Sequence, residues 1–245
     1  MSKVAAIIPA RWGSTRFPGK PLHLIAGKPL IQHVWERTRT ARTLEAVYIA
    51  TDDMRIAEAA FNFGAEVSLT SSRHPSGTDR IAEVAKKLPS TITHIINVQG
   101  DEPVVDPALI DGLSKTLMAD PQIPMITAAN PFAKGEDTGN PNAVKVVLDH
   151  ASNALYFSRS KIPFTRDPKM PVQYYRHQGI YGYSRKFLLQ FVRWKPTILE
   201  KAEQLEQLRA LENGAKIRVL VTKKASIGVD TPDDVKFVTA ILKKL

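Results

Sequence analysis

A loop near the start of the chain concentrates positive charge and flexible backbone. It runs Pro9-Ala10-Arg11-Trp12-Gly13-Ser14-Thr15-Arg16-Phe17-Pro18-Gly19-Lys20-Pro21-Leu22. Three cations, Arg11, Arg16 and Lys20, stand beside glycines whose backbone N–H groups are accessible, and this combination is typical of a polyphosphate site. The glycine spacing fits neither a Walker loop nor the dinucleotide fingerprint. A solvated basic loop is the alternative that composition alone leaves open.

The charge of the whole chain also favours an anionic ligand. Lys and Arg number 34 against 24 Asp and Glu, which gives a net charge of +10, and residues 1–45 hold eight Lys or Arg but two acidic residues. A basic nucleic-acid-binding module is the rival from another class. It lacks support, because the sequence shows no helix-turn-helix spacing, zinc pattern or RNP-like aromatic motif, and because the excess charge gathers at one loop. We expect no nucleic-acid partner.

Two aspartates stand at the ends of apolar runs. Asp101 follows the run at residues 94–98, and Asp230 ends the run at residues 226–230. The carboxyl ends of parallel strands meet at one edge of a sheet, and a carboxylate beside a polyphosphate is a natural Mg²⁺ ligand. Two carboxylates at that edge could share a Mg²⁺ ion; a turn aspartate at 101 and a helix-flanking aspartate at 230 are the plain alternatives, and the residues alone do not choose between them.

A further binding segment precedes a predicted helix that begins near Thr78. The backbone groups of Ser76 and Gly77 are placed to read a polar base edge, and Arg80 follows within one helical turn to reach an anion. A simple N-cap loop is the alternative interpretation.

The elements that position these residues alternate between strand and helix. Apolar runs at residues 4–8, 46–50 and 94–98 predict strands buried on both faces, and helical patterns lie between them, with Leu30 and Val34 on one face and Ile56 and Ala60 on another. This alternation predicts an α/β fold with a Rossmann-like, open and mostly parallel sheet, flanked by helices, that binds ligands beyond the carboxyl ends of its strands.

The middle of the chain has a different pattern. Residues 121–183 carry seven prolines, with β-like runs at 143–148 and 180–183, and predict an inserted β-rich lobe. A helix over about 198–212, a strand over 216–222, a strand over 226–230 and a helix start at Thr231-Pro232 follow. We therefore expect the 245 residues to form a single domain in which residues 121–183 are an inserted lobe, of the kind that serves as a lid or in dimerisation and ligand binding.

Composition excludes several classes of protein. The chain has no cysteine, which excludes disulfides, thiolate nucleophiles and cysteine-ligated metals. No apolar run exceeds five residues and the start lacks a secretory apolar stretch, so we expect a cytoplasmic protein with no membrane partner.

The loop at residues 9–22 resembles the signature loop of sugar-acid cytidylyltransferases. Two later stretches, Asn97-Val98-Gln99-Gly100-Asp101-Glu102-Pro103 and His177-Gln178-Gly179-Ile180-Tyr181-Gly182-Tyr183, narrow the resemblance to the 3-deoxy-manno-octulosonate (Kdo) cytidylyltransferases. Residues 76–80, 140–145, 154–159, 205–209 and 229–232 also match, so that the resemblance spans nearly the whole chain.

The resemblance implies an activity and its partners. It implies a nucleotide-diphospho-sugar transferase-like fold, a homodimer, and transfer of the cytidylyl group of CTP to Kdo, which gives CMP-Kdo and pyrophosphate for lipopolysaccharide biosynthesis. Mg²⁺ is the implied cofactor, held by Asp101 and Asp230. Relatives that act on 8-amino-Kdo, sialic acid or another acidic sugar are the nearest alternatives.

It also implies which residues do the work. Lys20, Arg11, Asp101 and Asp230 are the expected catalytic residues. The expected CTP-binding residues are Pro9, Ala10, Arg11, Ser14, Arg16, Lys20, His74, Ser76, Gly77 and Gln99. Backbone carbonyls near Ala10 and His74 are expected to accept from the exocyclic amine of cytosine. The expected sugar-binding residues are Arg80, Gln99, Arg159, His177, Tyr183, Glu206 and Gln207.

Three of these sugar residues have plain alternatives. A lone histidine such as His177 is more often structural than ligand-binding, and no histidine pair has metal-ligand spacing on a helix. Glu206 and Gln207 are neighbours on the predicted late helix, whose apolar stripe leaves at least one of them on a solvent face.

Overall fold

The computed structural model describes residues 2–13, 17–229 and 231–244. In the described chain, nine strands form one sheet and two more form a short ribbon. The sheet strands are β1 (Lys3–Ala10), β4 (Leu44–Thr51), β5 (Glu66–Leu69), β6 (Ile92–Asn97), β7 (Met125–Pro131), β8 (Lys145–Leu148), β9 (Ala154–Ser158), β10 (Tyr175–Ser184) and β11 (Ile217–Val221), and the ribbon is β2 (Leu24–Ile25) with β3 (Lys28–Pro29).

The strand order confirms the predicted open α/β sheet. The main path runs β11-β7-β10-β6-β1-β4-β5, and every pairing along it is parallel except those of β10, which is antiparallel to both β6 and β7. The helices are α1 (Leu30–Arg39), α2 (Met54–Asn62), α3 (Gly77–Lys87), α4 (Pro107–Ala119), α5 (Arg185–Phe191), α6 (Ile198–Glu203), α7 (Leu208–Glu212) and α8 (Pro232–Leu242).

Helices cover both faces of the sheet, which explains the continuous apolar strand runs. Side chains of β1 alternate between the two faces. Ala6 and Ile8 pack with α1, α2 and α4, whereas Ala5 and Ile7 pack with α3, α5 and α7. All four are fully buried. Because helices cover both faces of the sheet, the carboxyl ends of its parallel strands remain as the open edge. The loops that follow β1 and β6 emerge side by side at this edge.

The region over residues 121–183 is more closely tied to the sheet than a separate lobe. Two of its strands, β7 and β10, complete the main sheet, and β8 branches from β10 to pair with β9. Gly182, near the end of β10, lets the strand pack closely against α4, because an added Cβ would lie 2.7 Å from a side-chain carbon of Leu117 and would force that side chain to shift. The dimerisation role of this region stays a prediction.

Two predicted elements near the end of the chain are corrected by the structure. The helix over 198–212 is broken into α6 and α7 by Gln204, whose φ of 52° ends α6. The break is stabilised by Arg159, whose Nε donates to Glu203 O at 2.7 Å. The predicted strand over 226–230 is irregular through residue 229, and it is fastened by a 2.8 Å hydrogen bond from Val229 N to Asp101 O.

The helix start at Thr231 is confirmed. Thr231 and Asp234 form a capping box at the start of α8, with Pro232 in the first turn. Across the described ranges, no helix combines the length and apolar character needed to cross a membrane.

Candidate active site

Lys20 joins three segments that are far apart in sequence. The loop after β1 ends in a short 3-10 helix, Lys20–Leu22, whose N-cap Gly19 has a φ of 68°. Lys20 Nζ donates to Asp101 Oδ2 at 2.7 Å and to Val229 O at 2.9 Å. The predicted phosphate lysine and the predicted metal ligand are thus direct neighbours. The predicted residues Ser14, Arg16 and Asp230 lie outside the described residues.

A first cavity of about 300 Å³ lies beside this ion pair. It brings together every described residue that the sequence assigned to the nucleotide, and it also includes Asp101 and Arg80. The nucleotide set is Pro9, Ala10, Arg11, Lys20, His74, Ser76, Gly77 and Gln99. Cations, backbone and one carboxylate at a sheet edge are suited to a polyphosphate ligand.

Glycines allow the walls of this cavity to approach each other closely. A Cβ on Gly100 would lie 2.7 Å from the backbone oxygen of Pro9, so this position accepts no larger side chain without a shift of backbone. Ser76 caps α3 by accepting from Asp79 N at 3.2 Å, which is the N-cap geometry predicted above as the alternative interpretation of this segment. The N-terminus of an 11-residue helix therefore lies at the cavity wall, where its dipole favours an anion.

His74 is held on the wall by an acidic partner. Its Nε2 lies 2.6 Å from Glu83 Oε2. Hydrogen bonds from Lys87, from the backbone N–H of Ser71 and from His74 lower the pKa of Glu83 to about 2. Glu83 is therefore ionised at neutral pH and fixes the position of His74.

Arg80 is buried in the first cavity rather than in the sugar region. Its Nη1 donates to Thr70 Oγ1 at 2.6 Å and lies 3.1 Å from Asp52 Oδ1. It is 4% exposed. Its guanidinium therefore presents a fixed, paired cation to the nucleotide side, and its assignment to the sugar stays a prediction.

A second cavity of about 910 Å³ opens on the other side of Ser76, Gly77 and Gln99, which line both cavities. Gln99 is held at this shared wall because its Nε2 donates to Gly179 O at 3.0 Å. Glu206 and Gln207 line the second cavity from the irregular turn between α6 and α7. Because the predicted helix is broken there, both side chains reach the cavity, and neither is left on a simple solvent face.

Glu206 is a partly buried acidic group with polar and charged neighbours. Burial raises its pKa above the ordinary value, while the hydroxyl of Thr78 donates to its Oε2. Arg209 Nη2 lies 3.6 Å from Glu206 Oε1. Glu206 is thus held in one orientation by its neighbours.

Sequence reasoning left several residues of the second cavity unassigned, among them Asn97 and Tyr181. Tyr181 donates its hydroxyl to Gln207 Oε1 at 3.1 Å. Asn97 Oδ1 and Gln207 Nε2 are buried and have no hydrogen-bond partner among the described residues. Both residues lie in stretches that carry the family resemblance, and Asn97 is a polar residue at the end of an apolar strand, which was the available signal.

Three predicted sugar residues lie outside the described lining of either cavity. His177 Nε2 lies 2.9 Å from Thr127 Oγ1, and its ring centroid lies 5.4 Å from that of Tyr181. Burial lowers the pKa of His177 to about 3, so the ring is neutral at pH 7. Tyr183 is 1% exposed and packs beside Tyr181, and Arg159 binds the end of α6. Their sugar roles stay predictions.

Comparison with known proteins decides the family. The profile of the cytidylyltransferase family matches residues 5–217. A relative from Geobacter sulfurreducens named 3-deoxy-manno-octulosonate cytidylyltransferase is 50% identical over 250 residues, which cover 98% of this chain and 99% of the relative. This chain belongs to the Kdo cytidylyltransferase family. The family resemblance inferred from the sequence is thereby confirmed.

Solved structures agree with this membership. A structure titled CMP:2-keto-3-deoxy-manno-octonic acid synthetase complexed with CTP superposes on this cytidylyltransferase with a TM-score of 0.94, at 40% identity over 99% of both chains. The 4-diphosphocytidyl-2C-methyl-D-erythritol synthase from Anaerococcus prevotii has a TM-score of 0.65 at 14% identity, covering 99% of this chain and 96% of its own, which shows a shared fold alone.

Nucleotidyl transfer in this family suggests a divalent metal ion. Asp101 offers a hard carboxylate oxygen at the first cavity, with 34% of its side chain exposed. Within residues 2–13, 17–229 and 231–244, no group of three or more His, Asp or Glu side chains has metal-binding geometry. The second predicted ligand, Asp230, follows Val229, which is hydrogen-bonded to the backbone of Asp101.

Proposed function

We propose that this cytidylyltransferase joins CTP to Kdo and releases CMP-Kdo and pyrophosphate. The observation that carries the proposal is the wall shared by the two cavities at Ser76, Gly77 and Gln99. A triphosphate bound beside Lys20 and an acidic sugar bound beside Gln207 would meet across this wall. The name and the CTP complex of the similar proteins support the same pair of substrates.

The reaction is a direct displacement at phosphorus. The anomeric hydroxyl of the sugar attacks the α-phosphorus, its proton passes to solvent, and the bond to the pyrophosphate oxygen breaks. Lys20 and Arg11 line the nucleotide cavity and neutralise the charge that develops on the phosphate oxygens. Arg16, in the same loop, is proposed to act alongside them. No covalent enzyme intermediate is required.

The metal that we propose is Mg²⁺, held by Asp101 and Asp230. When bound, it would supply further positive charge at the reacting phosphate. Lys20 holds the Asp101 carboxylate by the 2.7 Å hydrogen bond, and so orients this ligand toward the nucleotide cavity.

Substrate choice follows from the two linings. Cytosine is proposed to be read by backbone carbonyls near Ala10 and His74, which accept from its exocyclic amine. Glu206, Gln207 and Gln99 are proposed to bind the sugar hydroxyls, because all three line the second cavity. The product would supply lipopolysaccharide assembly in the cytoplasm.

A homodimer is proposed to form through the region over residues 121–183. Apolar side chains on this region are strongly exposed, with Phe164 at 86%, Met170 at 63% and Leu155 at 61%. Large apolar side chains exposed on a protein surface favour an interaction surface. Light scattering should give the mass of two chains, and Phe164→Ser should shift that mass toward one chain.

A substrate panel tests the function. The protein is incubated with Mg²⁺, each of the four nucleoside triphosphates, and Kdo, 8-amino-Kdo or sialic acid, and pyrophosphate and product mass are measured. We expect one pyrophosphate per CMP-Kdo, with CTP as the preferred nucleotide and EDTA abolishing turnover. Preference for another nucleotide, or for another acidic sugar, would overturn the corresponding half of the proposal.

A further inference from the structure

Asn97 lines the second cavity, and its side-chain oxygen is a buried hydrogen-bond acceptor. It is the last residue of β6 and is 2% exposed. Its Oδ1 has no hydrogen-bond partner in the described chain. Buried polar atoms in folded proteins are nearly always hydrogen-bonded, so an exception in a ligand cavity points to a ligand.

Gln207 provides the complementary donor in the same cavity. It is 3% exposed, and its Nε2 has no partner among the described residues. Its Oε1 is occupied by the hydroxyl of Tyr181 at 3.1 Å, which orients the amide. Tyr181 lies directly opposite Asn97 in the β10–β6 pairing. One buried acceptor and one buried donor are thus held on one cavity wall.

We propose that Asn97 is a specificity-determining residue that accepts a hydrogen bond from a hydroxyl of the acceptor sugar, and that Tyr181 is a positioning residue that aims Gln207 at the same sugar. This inference rests on the proposed function and assigns it two further residues. Asn97 Oδ1 is an acceptor and therefore pairs with a sugar hydroxyl rather than with the ionised carboxylate, which has no proton to donate. A site that hydrogen-bonds a substrate hydroxyl discriminates strongly against analogues that lack it.

Asn97→Ala separates this role from a structural one. The KM for Kdo should rise about 5- to 50-fold, the effect of losing one buried hydrogen bond to substrate, while the KM for CTP changes by less than about twofold. The thermal midpoint should stay equal or rise, because the variant removes a buried polar atom that has no partner in the described chain.

Asn130→Ala is the matched control. Asn130 is also a buried asparagine on a sheet strand, but it accepts from Gln178 Nε2 at 3.1 Å and donates to Pro131 O at 3.0 Å. This variant should lower the thermal midpoint and leave the KM for Kdo unchanged. The two asparagines should therefore show opposite patterns of stability and sugar binding.

Tyr181→Phe tests the positioning role. It keeps the ring and removes the hydroxyl that contacts Gln207. It should raise the KM for Kdo, and in a Gln207→Ala background it should add no further loss, because Tyr181 acts through Gln207. Tyr48→Phe, on β4 and outside the lining of both cavities, is the control. Additive losses in the double variant would overturn the positioning role.

Monodeoxy analogues of Kdo identify the hydroxyl. The penalty of Asn97→Ala should vanish for one analogue and persist for the others. Unchanged KM for Kdo, equal rises for Kdo and CTP, or a penalty that no analogue abolishes would overturn the assignment of Asn97. If the parent instead turns over another acidic sugar, the proposed substrate is wrong, and the same comparison on that sugar decides the role of Asn97.

Discussion

The two cavities are built by different means. The first cavity, which we propose as the nucleotide cavity, is lined by charged side chains and backbone groups from the loop after β1 and the loop before α3. The second cavity, the proposed sugar site, is lined by the amides of Asn97 and Gln207 and the hydroxyl of Tyr181, together with charged side chains such as Glu206 and Arg209. Charged groups bind an anionic ligand strongly, and the basic loop of the first cavity is visible in the sequence. Directional hydrogen bonds, such as those available to Asn97 and Gln207 in the second cavity, discriminate between substrates, and their positions depend on the tertiary structure.

Loss of Lys20 should have the largest effect, because it removes the cation central to the nucleotide cavity. We expect Lys20→Ala to lower kcat/KM by about 10²- to 10³-fold, the size expected for a donor that stabilises transition-state charge. Steady-state kinetics measures this loss. Lys28→Ala is the control, because Lys28 pairs with Glu36 at the surface. Near-parental turnover of Lys20→Ala would contradict the claim that charged groups of the first cavity drive the reaction of the nucleotide.

Asp101→Asn should have the next largest effect. It keeps the size of the side chain but removes the charge that a hard cation requires, so half-maximal turnover should need about tenfold more Mg²⁺ or higher. Titration of turnover with Mg²⁺ measures the shift, and Asp230→Asn should behave alike. Asp120→Asn, at the end of α4, serves as the control. If the turnover of Asp101→Asn or Asp230→Asn depends on Mg²⁺ concentration as that of the parent does, the substituted residue is not a metal ligand.

The two cavities also differ in how much of each lining could be predicted from the sequence. The nucleotide residues could be predicted because a loop that follows a parallel strand must emerge at the ligand edge, and the loops after β1 and β6 carry their chemistry in contiguous motifs. All described members of that set reach one cavity. Local sequence and sheet topology account for this grouping, and the roles of these residues toward the nucleotide stay predictions.

The sugar residues required information that the sequence does not carry locally. Tyr181 and Tyr183 are two residues apart on β10 and share a face, so their pattern alone does not indicate which one reaches a ligand. Register places Tyr181 in the lining of the second cavity, because it pairs with Asn97 at the end of β6, whereas Tyr183 pairs with Ile95 inside the sheet.

The helix break at Gln204 had the same kind of cause. Leu205, Leu208 and Leu211 have helical spacing, which predicted an uninterrupted helix. Arg159, the residue directly after β9, donates to Glu203 O and stabilises the end of α6. A contact between residues 44 positions apart thus overrode the local pattern and placed Glu206 and Gln207 in a turn.

His177 gives the smallest predicted effect, and it concerns stability. Its pKa is about 3 when folded, against an ordinary value near 6.5. Between these values the unfolded chain binds a proton that the folded chain does not, so stability falls as pH falls from 6.5 toward 3. In urea unfolding at pH 7 and pH 5, the parent should lose on the order of 1 kcal/mol more than His177→Gln.

His150→Gln is the control for that comparison, because His150 is exposed. It should lose stability with pH as the parent does. If His177→Gln shows the same pH dependence as His150→Gln, His177 is not the buried neutral group that the structure indicates, and a direct charged contact with the sugar would regain support.

The division of labour between the cavities is tested most directly by the KM values of both substrates in two variants. Arg11→Ala should raise the KM for CTP by about tenfold or more and leave that for Kdo within about twofold. Gln207→Ala should raise the KM for Kdo by about 5- to 50-fold and leave that for CTP within about twofold. This crossed pattern is the predicted result. Equal rises for both substrates in both variants would contradict two separate cavities that meet at Ser76, Gly77 and Gln99.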